Sequence, residues 1–310
     1  MLIRFCVLSL LVFAPGILST PAKRNEATEP VTPLDEAQIS SYVPYAWLAA
    51  AAYCPQGSQA TWSCGSCEAP PVKDLVVYAS GGDSKFIQNW YVGWWPSGNT
   101  VIVTHQGTSL NIVPVLTDAS FLPVPIDPVR FPGVPPLTQV HKGFHDEHAL
   151  TANKVLQAVR QIIAERGANK VTTVGHSLGG ALALLDALFL RLNLPAHVQV
   201  VTRTFGQPRV GNDIFAQFID LKVPDKARIT LKGDIVPASP PLIASYRHSS
   251  GEIHENQHGK YNDCSGRDNL DVNCSTGQIL SGSINLTDHL GPYPGGVNMG
   301  PAGLTPSSLC

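Results

Sequence analysis

The chain has 310 residues, 44% of them hydrophobic and only 14% charged, a balance typical of globular proteins that excludes a disordered or charge-driven polymer. Lys and Arg total 21 against 23 Asp and Glu, a formal charge of -2, so no cationic footprint for phosphates is present and nucleic acid is not an expected partner. No internal repeat or Gly/Ser linker divides the sequence, and a single domain over residues 25–310 is the economical expectation.

Residues 1–19 place Arg4 ahead of the apolar run FCVLSLLVFA and a Pro-Gly break, the layout of a secretory signal peptide. The run is too short to span a bilayer comfortably, and no later stretch is long and apolar enough for stable membrane insertion. The dibasic pair Lys23-Arg24 suits a processing protease, so a propeptide to residue 24 and an extracellular mature chain beginning near Asn25 are expected. Once Cys6 leaves with the signal, Cys54, Cys64, Cys67, Cys264, Cys274 and Cys310 remain, an even set that implies disulfides in a secreted chain. Composition alone does not choose their connectivity. The spacing of Cys64 and Cys67 lacks the second ligand pair of a tetrahedral zinc site, and no metal is expected. The sequons at Asn273 and Asn285 would carry glycans on surface loops.

Residues 34–53 have a helical pattern opened by Asp35 as a candidate cap, with Pro44 a kink or break. Short β-branched or apolar runs at 75–79, 101–104, 170–174, 198–204 and 227–231, each bounded by Gly, Pro or polar residues, predict strands. Between them, residues 147–166 carry Ala152, Val155, Leu156, Val159, Ile162 and Ile163 at helical spacing and stop at Gly167, while 178–192 is apolar nearly all round. Alternating strands and helices predict an α/β fold: a mostly parallel central sheet with helices on both faces. Residues 110–137 break the rhythm with seven prolines among Ile112, Val113, Val115, Leu116 and Phe121. A long irregular loop in a compact domain is usually functional, and a satellite surface loop is the plainer alternative.

Residues 175–180 read GHSLGG. A bare Gly-x-Ser-x-Gly is weak, but here a strand signal precedes it and a helix signal follows, the strand–turn–helix setting of a nucleophile elbow. Gly175 and Gly179 suit a turn too crowded for a Cβ, and Ser177 would sit at a helix amino terminus, with the Leu178 N–H as a natural oxyanion donor. A serine hydroxyl needs an imidazole to take its proton and a carboxylate to hold that imidazole. Asp234 follows a predicted strand, where open α/β sheets place their sites. Asp213, Asp220 and Asp225 are more simply solvated charges. For the base, His248, His254, His258 and His289 remain, and His289 satisfies the order Ser, Asp, His.

The blocks GHSLGGALAL, FGQPRVGN from Phe205, GDIVPASPP from Gly233 and DHLGPY from Asp288, in this order, resemble the secreted fungal class 3 lipases, which have the α/β-hydrolase fold. The resemblance implies Ser177, Asp234 and His289 as the triad and a lid over the active site, beginning at Leu110 and including Ile112, Val113, Val115 and Leu116. It also makes HQGTS from His105 the oxyanion block, with Thr108 as side-chain donor, although Gln106 stands where Arg is commoner. By the same resemblance the disulfides would be Cys54–Cys310, Cys64–Cys67 and Cys264–Cys274. The expected function is a monomeric serine esterase that hydrolyses acylglycerols at a lipid–water interface without a cofactor. A feruloyl or other carboxylic-ester hydrolase of the same fold is the close rival, and an inactive secreted lipid-binding protein the distant one.

Overall fold

The computed structural model describes residues 30–108, 121–301, 303–304 and 307–310. Nine strands form one twisted sheet in the order β1-β13-β12-β10-β8-β7-β4-β3-β2. They are β1 (Val31–Pro33), β2 (Val76–Gly81), β3 (Trp90–Trp95), β4 (Thr100–His105), β7 (Lys170–His176), β8 (Gln199–Phe205), β10 (Lys226–Leu231), β12 (Glu252–Glu255) and β13 (Tyr261–Cys264). The five central strands β12, β10, β8, β7 and β4 are mutually parallel, and the flanking pairs are antiparallel. A second, four-stranded sheet joins β5 (Pro123–Pro125), β6 (Gln139–His141), β9 (Gly211–Asn212) and β11 (Tyr246–Arg247) in the order β11-β9-β6-β5.

Burial on both faces explains why the central strands lack polar alternation. In β4, Val101 and Val103 pack on one side beneath α4 (Lys142–Arg166), α5 (Leu178–Asn193) and α6 (Asp213–Lys222). Ile102 points to the other side, where α2 (Val43–Ala51) supplies Leu48 and its alanines. The small alanine face lets α2 lie close to the sheet.

The first predicted helix is two. Asp35 and Gln38 form a reciprocal capping box on α1 (Glu36–Ser40), with contacts of 2.8 and 2.9 Å. Pro44 starts α2 rather than kinking one long helix, because a proline in the first turn forfeits an N–H that has no helical partner anyway. Helix α4 begins at Lys142, five residues earlier than its apolar periodicity suggests, and ends at Gly167 with φ +64°. The proline-rich run divides: Ile126 and Phe131 are buried in the main core, so its second half is structural. Three disulfides join Cys54–Cys310, Cys64–Cys67 and Cys264–Cys274.

Candidate active site

Ser177 stands between β7 and α5 with φ 59° and ψ -129°, a backbone conformation that costs on the order of 1–3 kcal/mol for an L-residue and is kept only where the surroundings enforce it. The enforcement is steric. A Cβ on Gly175 would lie 2.1 Å from the carbonyl oxygen of Gly179, and one on Gly179 would lie 2.2 Å from that of His105. The strand and the helix thus touch backbone to backbone. The Ser177 N–H donates to the Phe205 carbonyl at 2.9 Å, anchoring the turn to β8.

Asp234 leaves β10 in a turn closed by its own N–H on the Leu231 carbonyl. Its Oδ1 accepts the Val236 N–H at 2.9 Å, and its Oδ2 faces His289 Nδ1 at 2.8 Å, with both side chains 1% exposed. His289 lies in a short 3-10 turn, Leu286–Leu290. Two contacts stitch that turn to the one bearing Asp234: the Gly233 N–H donates to Asp288 Oδ2 at 2.9 Å, and the Asn285 N–H donates to the Gly233 carbonyl at 2.8 Å. Among the described residues, His289 Nε2 is buried with no hydrogen-bond partner. Such an orphan on an otherwise bonded imidazole is what a proton acceptor awaiting its donor looks like.

Of the other candidate histidines, His248 bonds the Pro237 carbonyl, His254 sits between Thr230 and Gln278, and His258 is exposed. None of these contacts reaches Asp234. His248 and His254 are fully buried rather than ordinary surface residues. Asp213, Asp220 and Asp225 pair with Arg267, Lys226 and Arg203 respectively.

His176, buried beside the serine, connects the parts. Its Nε2 donates to the His289 carbonyl at 2.8 Å, which leaves Nδ1 to accept the Tyr53 hydroxyl at 2.6 Å. Burial first, then the nearby His289, holds the pKa of His176 well below the ordinary imidazole value, so the ring stays neutral. Tyr53 Oη in turn receives the Gly107 N–H, whereas burial pushes the Tyr53 hydroxyl pKa well up. A relay of three hydrogen bonds therefore runs from the turn of His289 to the block HQGTS.

In that block Gln106 takes the Asn89 N–H on its Oε1 at 3.1 Å and gives its own N–H to the Asn89 carbonyl at 2.7 Å. The replacement of Arg by Gln thus has a structural use. Thr108 Oγ1 is buried without a partner among the described residues, and the Leu178 N–H is the first amide of α5, with no acceptor within the helix. Ile112, Val113, Val115 and Leu116 lie outside the described residues. Near the end of that gap, Phe121 lines a largely apolar cleft of about 490 Å³ with Ile235, Leu242, Ile243, Ile279 and Leu280. Buried Arg209 braces its wall, donating to the carbonyls of Ala238 and Pro240 and pairing with Asp268 at 2.8 Å.

Asn285 is exposed, while Asn273 is half-buried and its Nδ2 donates to Asp271. Among the described residues no group of three His, Cys, Asp or Glu could hold a metal ion, and no helix is long and apolar enough to cross a membrane. Tyr53, Asp288, Gly206, which packs against the His289 ring, and Tyr293, whose hydroxyl donates to the His289 carbonyl at 3.1 Å, are not singled out by the sequence. Three of them stand inside the recognised blocks, whereas Tyr53 carries no local signal at all.

A serine on a glycine-flanked elbow, with a buried His–Asp pair beyond the ends of parallel strands, defines a serine hydrolase of the α/β-hydrolase fold. Residues 102–244 match the family Lipase (class 3). A secreted mono- and diacylglycerol lipase of Malassezia globosa is 29% identical over 98% of this chain and 96% of its own length. A lipase of Rhizomucor miehei is 32% identical over 69% of this chain, which spans 58% of that relative's length. Among solved structures, lipase II of Rhizopus niveus superposes with a TM-score of 0.76 at 28% identity, covering 87% of this chain and 99% of that one.

Proposed function

We propose that the protein is a secreted serine esterase that hydrolyses acylglycerol ester bonds, of triacylglycerols, partial glycerides or both, at a lipid–water interface. The reading rests on one observation above all: Asp234 bonds Nδ1 of His289 while Nε2, among the described residues, is buried and unpaired on a ring that stands 4.5 Å from that of His176 in the elbow. His289 takes the Ser177 proton as the oxygen attacks the ester carbonyl. The Leu178 N–H and the Thr108 hydroxyl hold the oxyanion, and His289 passes the proton to the leaving alcohol. Water then repeats the cycle on the acyl-enzyme and releases the fatty acid.

The apolar cleft beside Asp234 favours an aliphatic acyl chain over a compact aromatic acid. The names of the relatives support both the acylglycerol substrate and secretion, and the leader-like first 19 residues point the same way. We further propose that the chain acts as a monomer, with Asn285 better placed than Asn273 to carry a glycan. Triolein, a soluble short-chain ester and methyl ferulate, assayed side by side with Ser177→Ala as control, test the reading. Triolein hydrolysis abolished in the variant is expected. A marked preference for methyl ferulate would overturn the substrate class, and turnover persisting in Ser177→Ala would overturn the mechanism.

A further inference from the structure

Asp186 lies in the middle of α5 with no exposed surface, and the reaction does not use it. Its Oδ2 meets His105 Nε2 at 2.6 Å and its Oδ1 meets His148 Nε2 at 3.0 Å. The rings of Phe131 and Phe189 stand 5.5 Å from that of His148, so the surroundings are apolar. Among the described residues both remaining Nδ1 atoms are buried without partners. Burial raises the pKa of Asp186, but the charge and hydrogen bond of His105, followed by the bond from His148, outweigh it and bring the value to about 2. A buried carboxylate of this kind is a poor way to gain stability, because well-packed apolar side chains commonly do as well or better. Its place inside the core calls for another account.

The three residues belong to three elements. His105 is the last residue of β4 and pairs in register with Gly175 of the elbow strand. Thr108 follows three positions later, and the His105 carbonyl is the atom against which Gly179 packs. Asp186 lies on the helix whose first amide is Leu178, and His148 on α4 closes the cluster from the third side. The two oxyanion donors therefore project from the two elements that the His105–Asp186 bond joins. We infer that the His105–Asp186–His148 cluster is a positioning device, which sets the spacing between the Thr108 hydroxyl and the Leu178 N–H. This rests on the oxyanion assignment made above. A donor displaced by a fraction of an ångström keeps substrate binding and loses transition-state stabilisation.

The test is a double-mutant cycle on a soluble short-chain ester. Asp186→Asn keeps the volume but cannot accept from both imidazoles, and it is expected to lower kcat about 10–100-fold with KM changed less than about 2-fold. In the Thr108→Val background the same substitution should cost no more than about 3-fold, since the hole is already broken. Equal losses in both backgrounds, or an unchanged kcat in Asp186→Asn, would overturn the inference alone. Thr108→Val with parental activity would instead overturn the oxyanion assignment, and the inference with it. Should Asp186→Asn not fold, His105→Gln and His105→Leu decide the matter. The glutamine, which keeps an N–H donor near Asp186, should retain most of the turnover that the leucine loses, and equal kcat in the two would refute the positioning role.

Discussion

At the scale of single residues, the site is governed by how closely backbone and ring are allowed to approach. Gly206, at the end of β8, has φ +53°, and a Cβ there would lie 2.7 Å from Tyr293 Oη and 2.9 Å from the His289 ring. Gly206→Ala is therefore expected to displace His289 from Asp234 and lower kcat at least about 10-fold, on top of a backbone strain of roughly 1 kcal/mol. Activity equal to the parent would show that the ring has slack. Asp234→Asn removes the acceptor at Nδ1 and favours the wrong tautomer, so kcat should fall by about 10⁴ without loss of fold. If Asp213 or Asp225 proved essential instead, the acid would be misassigned, although both already pair with arginines away from His289. The elbow and Asp234 were legible because each follows a strand signal in a glycine-bearing turn, whereas His289 stood out among four histidines only by the order Ser, Asp, His and by the resemblance of its block to the class 3 lipases. The Tyr53–His176 bond was not legible, since a contact across 123 positions leaves no local trace.

At the scale of elements, what was legible followed burial. The central strands β4, β7, β8 and β10 announce themselves as apolar runs because both faces are covered, and α5 is apolar all round for the same reason. β3, with the sequence WYVGWW, also has both faces covered, but its aromatics and internal glycine hide the run. The outlying strands β1 and β13 and the small second sheet escape any such reading, being two to four residues long and fixed by tertiary pairing. The disulfides also act between elements, and unequally. Cys54–Cys310 closes a separation of 256 residues, whereas Cys64–Cys67 closes only 3. Loop-closure entropy then assigns on the order of 5 kcal/mol to the first and about 2 kcal/mol to the second. Replacing the Cys54–Cys310 pair by alanines should lower the urea midpoint clearly more than replacing Cys64 and Cys67. The reverse ranking would mean that the carboxyl-terminal segment is held mainly by other contacts, such as the Ser66 N–H on the Leu309 carbonyl at 2.7 Å.

At the scale of the whole molecule, the uncharged histidines inside it decide how it responds to acid. His148, His176, His248 and His254 are all buried, and burial is the first cause holding each pKa below the ordinary imidazole value. Arg228 and Arg209 push His248 further down, while Asp186 and Glu252 only partly oppose the shift at His148 and His254. The unfolded chain, with imidazoles near their usual pKa of about 6.5, binds protons that the folded chain refuses. Their contribution to stability is thus fully present above about pH 6.5 and is lost progressively as pH falls below it. Lowered carboxylates such as Asp186 and Glu252 add a second loss only in the more acid range of their own titration. Half-buried Glu147 and the more exposed Asp263, whose values are raised by partial desolvation, work the other way, but near the carboxylate range. The thermal midpoint should therefore be flat between pH 8 and about pH 7 and decline from about pH 6.5 to 5, before the carboxylates titrate. His248→Gln, whose amide can still donate to the Pro237 carbonyl, should make that decline shallower while leaving the midpoint at pH 8 within a few degrees. A midpoint that held or rose on acidification to pH 5 would mean that these imidazoles are charged in the folded protein, each with a counter-ion strong enough to reverse the effect of its burial.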